Sequence, residues 1–162
     1  MSQPNEIVTK IVLDNWRGQL AQANDLLNKL TDTDLEKEIA PGKNRGIYLL
    51  GHLTAVHDRM LPLLGFGEQK YAHLNDAFLV KADREVNDLP STSDLREIWK
   101  DTNDNLTSHL GKLSADEWMQ KHTSVSDEDF AKEPHRNRMN VVVGRTLHLA
   151  NHLGQLLLLK QK

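Results

Sequence analysis

Residues 12–30 read VLDNWRGQLAQANDLLNKL, and this stretch decides the fold class. Its apolar side chains recur at steps of three or four residues, at Val12, Trp16, Leu20, Ala23, Leu27 and Leu30. This spacing places one apolar stripe along an α-helix, because the helix turns once in about 3.6 residues. The stretch therefore predicts a long first helix near 5–30 with one side in a core.

The same periodicity recurs in three later segments, which predict helices near 45–64, 94–111 and 139–160. Pro62 and Gly65 are expected to end the second of these helices, and Ser93 with Asp94 to begin the third. The last segment is apolar around most of its circumference, which predicts that it lies in the core. Leucine outnumbers valine and isoleucine, at 26 against 9 and 5, which also favours helix over sheet.

These segments predict an all-α fold, a four-helix bundle that forms a single domain over 1–162. Two connections are long, at 65–92 between the second and third predicted helices and at 112–138 between the third and fourth. The first connection is long enough to cross the bundle, which would leave those two helices parallel. We therefore expect an up-down-down-up order.

The halves of the chain share a weak sequence pattern. Thr31 with Asp34, and Ser114 with Glu117, each resemble a capping box that begins a short extra helix. A proline precedes the next long helix in both halves, in 41–45 and in 134–138. The pattern indicates either a duplicated helical hairpin or ordinary cap chemistry that occurs twice by chance.

Composition excludes several classes of function. The formal charge of −3 disfavours nucleic acid as a partner, since duplex-binding domains usually present a basic surface. The chain has no cysteine, which excludes disulfides, thiolate metal sites and a cysteine nucleophile. The sequence shows neither a signal peptide nor an apolar run of about 18–20 residues, so we expect a cytoplasmic protein without a membrane partner.

The clearest chemical pattern is a pair of histidines in the last predicted helix. His148 and His152 are four residues apart, so their imidazoles lie on one helix face, where they can share a divalent metal ion. Arg145, Asn151 and Gln155 continue this polar stripe. The alternative interpretation is a solvated face of an amphipathic helix, which this helix alone does not exclude.

A third histidine, His52, lies at the edge of the apolar face of the second predicted helix. Its depth along that helix allows it to meet His148 and His152, and three histidines with open positions are typical of a catalytic metal centre. A core histidine that donates to a backbone carbonyl is the alternative. The preceding Gly51 is unfavourable inside a helix, which predicts the close approach of a neighbouring group.

The other histidines have no partner at ligand spacing. His57 lies five residues after His52, about 140° around the helix, and is expected at the surface beside Asp58 and Arg59. His73, His109, His122 and His135 are expected in solvent. Of the tryptophans, Trp16 and Trp99 lie on apolar stripes and are expected in the core, whereas Trp118 fits a core or an interface.

Three segments resemble the DinB/YfiT-like superfamily: Ala40-Pro41-Gly42-Lys43, Leu50-Gly51-His52-Leu53 and the late His148-x-x-x-His152-x-Gly154-Gln155. The resemblance implies a four-helix bundle of up-down-down-up order that is often dimeric, and a divalent ion such as zinc or nickel on His52, His148 and His152. Members often have an aromatic residue and a serine after the Pro-Gly-Lys, where this chain has Asn44, Arg45 and Gly46.

Some members of that superfamily are thiol S-transferases or thiol-dependent isomerases, so the resemblance implies a metal-dependent enzyme, a transferase or a hydrolase. Its substrate would be a small molecule such as a low-molecular-weight thiol, with Arg145, Asn151 and Gln155 as candidate substrate-binding residues. Two alternatives stay open: a non-catalytic stress or interaction protein that binds a metal for stability or sensing, and a bundle with no metal.

Overall fold

The computed structural model describes residues 4–160. The regular secondary structure of these residues consists of helices, with no strand. Its α-helices are α1 (Pro4–Lys29), α2 (Asp32–Leu35), α3 (Gly46–Asp58), α4 (Met60–Leu64), α5 (Thr92–Leu110), α6 (Ala115–Trp118), α7 (Asp127–Lys132) and α8 (Arg138–Leu156). A π-helical turn spans Asp76–Val80, and a 3-10 turn, Leu157–Leu159, follows α8. The predicted all-α class is confirmed. The predicted single domain over 1–162 stays a prediction, and its first three and last two residues lie outside the described residues.

Helix boundaries follow the local cap chemistry. The second predicted helix divides at Arg59 into α3 and α4, and Gly65 ends α4 with a φ of 76°, a left-handed conformation that glycine adopts readily. The helix expected to begin at Ser93 or Asp94 begins earlier as α5, because the Ser91 hydroxyl accepts a hydrogen bond from the Asp94 backbone N–H at 3.1 Å.

The four longest helices pack in pairs, α1 against α8 and α3 against α5, and α3 also contacts α8. Side chains from all four helices fill one core, which includes Trp16, Leu50, Leu106 and Leu149. Trp16 and Trp99 are buried, which confirms the prediction for these residues, and Trp118 is buried in α6, which contacts α1.

The prediction that the last helix lies within the core is wrong. Only Val142, Leu149, Leu153 and Leu156 of α8 are buried, whereas the Leu147 side chain is 67% exposed. The physical reason is that α8 packs on α1 and α3 from one side and leaves its other face uncovered.

The two halves of the chain repeat one local arrangement. Capping boxes at Thr31 and Ser114 begin the short helices α2 and α6, as their sequences predict. Each short helix precedes an isolated antiparallel bridge, Glu38 with Arg45 in the first half and Lys121 with Asn137 in the second. Helices α3 and α8 then begin directly after these bridges, at Gly46 and Arg138.

Candidate metal centre

Helices α3 and α8 bring three imidazoles together at one point. The Nε2 atom of His148 lies 3.2 Å from Nε2 of His52 and 3.1 Å from Nε2 of His152. A potential ligand atom of each ring lies within 4.8 Å of the other two. All three residues are half-buried, so the cluster lies between the core and the surface.

His52 is held by a backbone carbonyl of the π-helical turn. Its Nδ1–H donates to the Phe78 carbonyl oxygen at 2.9 Å, and the Phe78 ring packs on Gly51 so closely that a methyl group at residue 51 would overlap it. Gly51 thus has the close neighbour that its sequence context predicts. His52 also combines the two roles that the sequence left as alternatives, because it donates to a carbonyl with one nitrogen and joins the cluster with the other.

His152 is held from within its own helix. Its Nδ1 lies 2.7 Å from Oε1 of Gln155, three residues further along α8, and because an amide oxygen can only accept a hydrogen bond, Nδ1 carries the hydrogen. The third ring differs, since Nδ1 of His148 is buried and has no hydrogen-bond partner among the described residues.

These hydrogen bonds fix the chemistry of the cluster. With Nδ1–H of His52 and His152 given to carbonyl oxygens, the Nε2 atoms of both rings carry lone pairs and point toward His148. Nitrogen ligands at 2.0–2.1 Å from a tetrahedral zinc ion are about 3.3–3.4 Å apart, close to the separations found here. The donor set and its spacing therefore fit a divalent metal ion.

The neutral form of histidine binds a metal, and the surroundings of His52 and His148 favour that form. Burial lowers the pKa of His52, and burial together with the neighbouring His152 and His52 lowers the pKa of His148 to about 4. At neutral pH the imidazole nitrogens of these two residues are therefore available as ligands.

The three candidate substrate-binding residues take different positions. Arg145 is half-buried one turn before His148, and its positive charge contributes to the lowered pKa of both His52 and His148. Asn151 is exposed. The amide oxygen of Gln155 is already used by His152, so Gln155 supports the histidine cluster directly.

The prediction of a surface position for His57 is wrong. The side chain is completely buried, and its ring lies 5.0 Å from that of Trp16 and 5.2 Å from that of Trp99, between centroids. Its Nδ1–H donates to Oδ1 of Asn103 at 2.7 Å, and burial lowers its pKa to about 3. The reason is that α3 has buried residues around most of its circumference, because it packs on both α5 and α8.

The remaining histidines divide between solvent and partial burial. His73 and His135 are exposed as expected, but His109 stacks on Phe66 with ring centroids 4.8 Å apart, and His122 is half-buried. The prediction that all four lie in solvent is therefore wrong for His109, whose ring is covered by Phe66, and for His122, whose Nδ1 is buried.

The sequence does not show which carbonyl orients His52. The Phe78 carbonyl that orients His52 belongs to the connection between α4 and α5, which reads as a mixed polar stretch without periodicity. A backbone carbonyl has no signal in the sequence. Gly51 offers the one indirect indication, because it predicts that some neighbour approaches α3 at this position.

Fold and site together define a class: an all-helical protein whose long helices gather three histidines, as fits a metal-binding protein. The family model described as the DinB superfamily matches residues 15–156. The match covers most of the chain, and the protein belongs to the DinB superfamily, which confirms the resemblance seen in the sequence.

No curated protein matches this chain in a sequence comparison. Within residues 4–160, no helix is both long enough and apolar enough to cross a membrane.

Proposed function

We propose that the protein is a metal-dependent enzyme in which His52, His148 and His152 hold a divalent ion, zinc or nickel, and that it transfers a low-molecular-weight thiol to an electrophile. The convergence of three Nε2 atoms supports this proposal best, since two of them carry lone pairs fixed by hydrogen bonds to Phe78 and Gln155. Membership of the DinB superfamily supports it independently.

The chemistry matches a chain without cysteine. When bound, a divalent ion would favour the thiolate of a small thiol at neutral pH, where a free thiol with a pKa of about 8.5 is mostly protonated. Half-buried Arg145 is suited to hold an anionic group of the thiol or the electrophile, and exposed Asn151 is suited to contact a substrate at the surface. Gln155 orients His152.

The metal is tested by elemental analysis of the full chain purified without a histidine tag. We expect close to one equivalent of zinc or nickel, and loss of most of it in His52→Ala. His73→Ala is the matched control, because His73 is exposed and lies outside the cluster. Native protein that binds neither metal after reconstitution would overturn the proposed metal centre and favour a bundle with no metal.

Thiol transfer is tested by incubating the metal-loaded protein with small thiols and a chromogenic electrophile. We expect turnover above the uncatalysed rate in the native protein and none above it in His52→Ala. Metal binding without turnover across neutral, acidic and amino thiols would contradict the transferase and favour a non-catalytic stress or interaction protein. Turnover of an ester without thiol would indicate a metal-dependent hydrolase.

We also propose a four-helix bundle of up-down-down-up order, formed by α1, α3, α5 and α8. Contacts at different points along the helices support this order. The indole N–H of Trp16 donates to the Thr107 hydroxyl and that of Trp99 donates to the Asn24 amide oxygen, which suits antiparallel α1 and α5. Gly46 approaches Leu159, and His52 meets His148, which suits antiparallel α3 and α8. An experimental structure tests the order.

We further propose that the protein is a cytoplasmic homodimer. Exposed apolar side chains on adjoining helices, Ile11 of α1 and Leu147 of α8, support a face covered by a second copy. The absence of cysteine is in keeping with a reducing compartment. Sedimentation is expected to give a dimer, with Leu147→Asp shifting it toward monomer. A native monomer at high concentration would contradict the dimer.

A further inference from the structure

A cavity of about 330 Å³ is lined by Val56 and Arg145, which lie about one helical turn from His52 and His148. It is formed by the end of α3, by α4, by the 123–124 segment and by α8. Its polar lining consists of Arg59, Arg145, Gln69, Thr123 and Ser124, and no carboxylate lines it. Its volume is at the lower end of the range for small-molecule sites, about 300–1,000 Å³.

The two guanidinium groups in this cavity lack anionic partners. Among residues 4–160, no carboxylate forms an ion pair with Arg59 or Arg145, whereas the half-buried Arg45 pairs with Asp83 at 2.8 Å. Arg145 is itself half-buried, and burial followed by repulsion from Arg59 lowers its pKa. Arg59 is exposed and Arg145 is half-buried, and two neighbouring positive charges repel each other unless an anion lies between them.

The nearest buried carboxylate is already occupied. Asp58 precedes Arg59, but its oxygens accept the backbone N–H groups of Lys70 at 3.1 Å and of Tyr71 at 2.9 Å. The Thr123 hydroxyl is also used, since it donates to the Pro62 carbonyl at 2.9 Å. The Gln69 amide is paired with the Asn75 amide, so the cavity offers two guanidinium groups and the Ser124 hydroxyl. Guanidinium groups bind carboxylates and phosphates well through paired N–H donors.

We propose that Arg59 and Arg145 bind the oxyanion of a small-molecule substrate, a carboxylate or a phosphate group, beside the histidine cluster. Val56 of the cavity lies four residues after His52, and Arg145 lies three residues before His148. At about 1.5 Å per residue, the anion would sit about 4.5–6 Å along the helices from the imidazoles. A substrate that spans both has its reacting atom a few bonds from its anionic group.

The reacting end of this substrate rests on the proposed function, but the binding of the anion does not. The test therefore uses the metal-free full chain, with inorganic phosphate and with succinate as probes, and measures binding by calorimetry and by NMR titration. We expect one of them to bind, and Arg145→Gln and Arg59→Gln each to weaken that binding at least about tenfold, as the loss of a charged hydrogen bond implies.

Arg17→Gln is the matched control, because Arg17 is exposed on α1, lies outside the cavity and loses the same charge. Arg145→Lys keeps the charge without the paired donors and is expected to bind with intermediate affinity, which also covers the case in which Arg145→Gln fails to fold. The tighter of the two probes identifies the anionic group as phosphate or carboxylate.

The proposal is overturned if neither probe binds the native chain, or if Arg17→Gln weakens binding as much as the cavity variants do. Metal content measured on the same preparations separates the two proposals. If the native chain binds zinc but no oxyanion, only the proposed anion site is overturned. If it binds the oxyanion but no metal, only the proposed metal centre is overturned.

Discussion

At the scale of the residue, His52 shows how one side chain can serve both the fold and the site. Its Nδ1–H is bonded to the Phe78 carbonyl, so the ring cannot turn without losing a partly buried hydrogen bond. The same bond leaves the opposite nitrogen with a lone pair that faces His148. A structural hydrogen bond thus sets both the tautomer and the direction of a candidate ligand.

Gln155 does the same for His152, which gives the first prediction. Gln155→Leu removes the oxygen that accepts from Nδ1 of His152, and we expect zinc affinity to fall by about 10–100-fold, the usual effect of losing such a supporting group. Competition with a chromogenic chelator measures the affinity. Gln155→Glu keeps an acceptor at this position and is expected to retain most of the binding. Unchanged affinity in Gln155→Leu would show that the helix backbone alone orients His152.

Buried His57 predicts a pH dependence of stability. Its pKa is about 3 in the folded protein and about 6.5 when unfolded, so between these values the unfolded chain binds a proton that the folded chain does not. Stability is therefore lost as pH falls from about 6.5 toward 3, and His57 contributes up to about 1.4 kcal/mol per pH unit.

Urea unfolding of the metal-free chain between pH 7 and pH 4 measures this loss. His57→Gln is expected to reduce the slope, because glutamine does not titrate, and the part that remains is expected from His52 and His148, whose pKa values are also lowered. His73→Gln is the control, since His73 is exposed and is expected to leave the slope as it is in the native chain. Equal slopes in the native and His57→Gln proteins would contradict the assignment of the lost stability to His57.

At the scale of the element, α3 is the helix on which the site depends. It packs against α5, α8 and the π-helical turn Asp76–Val80, and its close contact with that turn is possible because residue 51 has no side chain. The turn then delivers the Phe78 carbonyl to His52, one residue beyond the glycine. Helix packing and histidine orientation are therefore coupled at this point.

Two glycine substitutions are expected to have opposite effects, and the coupling concerns the first of them. Gly51→Ala would force a methyl group into the Phe78 ring, and we expect a loss of about 1–3 kcal/mol in the free energy of unfolding, together with weaker metal binding. Gly18→Ala, in the interior of α1 with open space around it, is expected to stabilise the protein by about 0.5–1 kcal/mol. Chemical denaturation measures both. A stable Gly51→Ala protein with native metal affinity would contradict the coupling.

The sequence predicts the helices better than it predicts how they pack against each other. The long helices follow from apolar spacing, and the capping boxes at Thr31 and Ser114 follow from their cap residues. Spacing along the helices allows His52, His148 and His152 to meet, and the family resemblance implies that they do. The burial of His57 does not, because it depends on how many neighbours α3 has, and periodicity within one helix cannot count them.

At the scale of the whole molecule, the long helices of each half of the chain pack mainly on long helices of the other half. Helix α1 of the first half packs on α8 of the second, and α3 packs on α5, while the short helices follow the same rule, with α2 on α5 and α6 on α1. This arrangement supports a duplicated helical hairpin, one of the two explanations of the weak sequence pattern that the halves share. The histidine cluster does not share the symmetry, since one ligand comes from α3 and two come from α8.

Because the candidate ligands come from both halves, metal binding is expected to stabilise the whole fold. Zinc at about 100 times its dissociation constant adds about 2.7 kcal/mol, which corresponds to about 5–11 °C in the melting temperature of a chain of this size. Thermal unfolding with zinc and with a chelator measures the shift. His148→Ala is expected to abolish it and His73→Ala to retain it. A native melting temperature that is the same with zinc and with chelator would contradict a bound ion.

The distance in sequence between the clustered histidines also determines when the cluster can form during synthesis of the chain. His52 and His148 are 96 residues apart, so at about 5–20 residues per second the ribosome needs about 5–20 s to add the second imidazole after the first. During that interval the other two histidines of the cluster have not yet been synthesised, so His52 cannot bind a cation together with them. A divalent ion that needs all three of these histidines could therefore be bound through this cluster only after translation has passed α8.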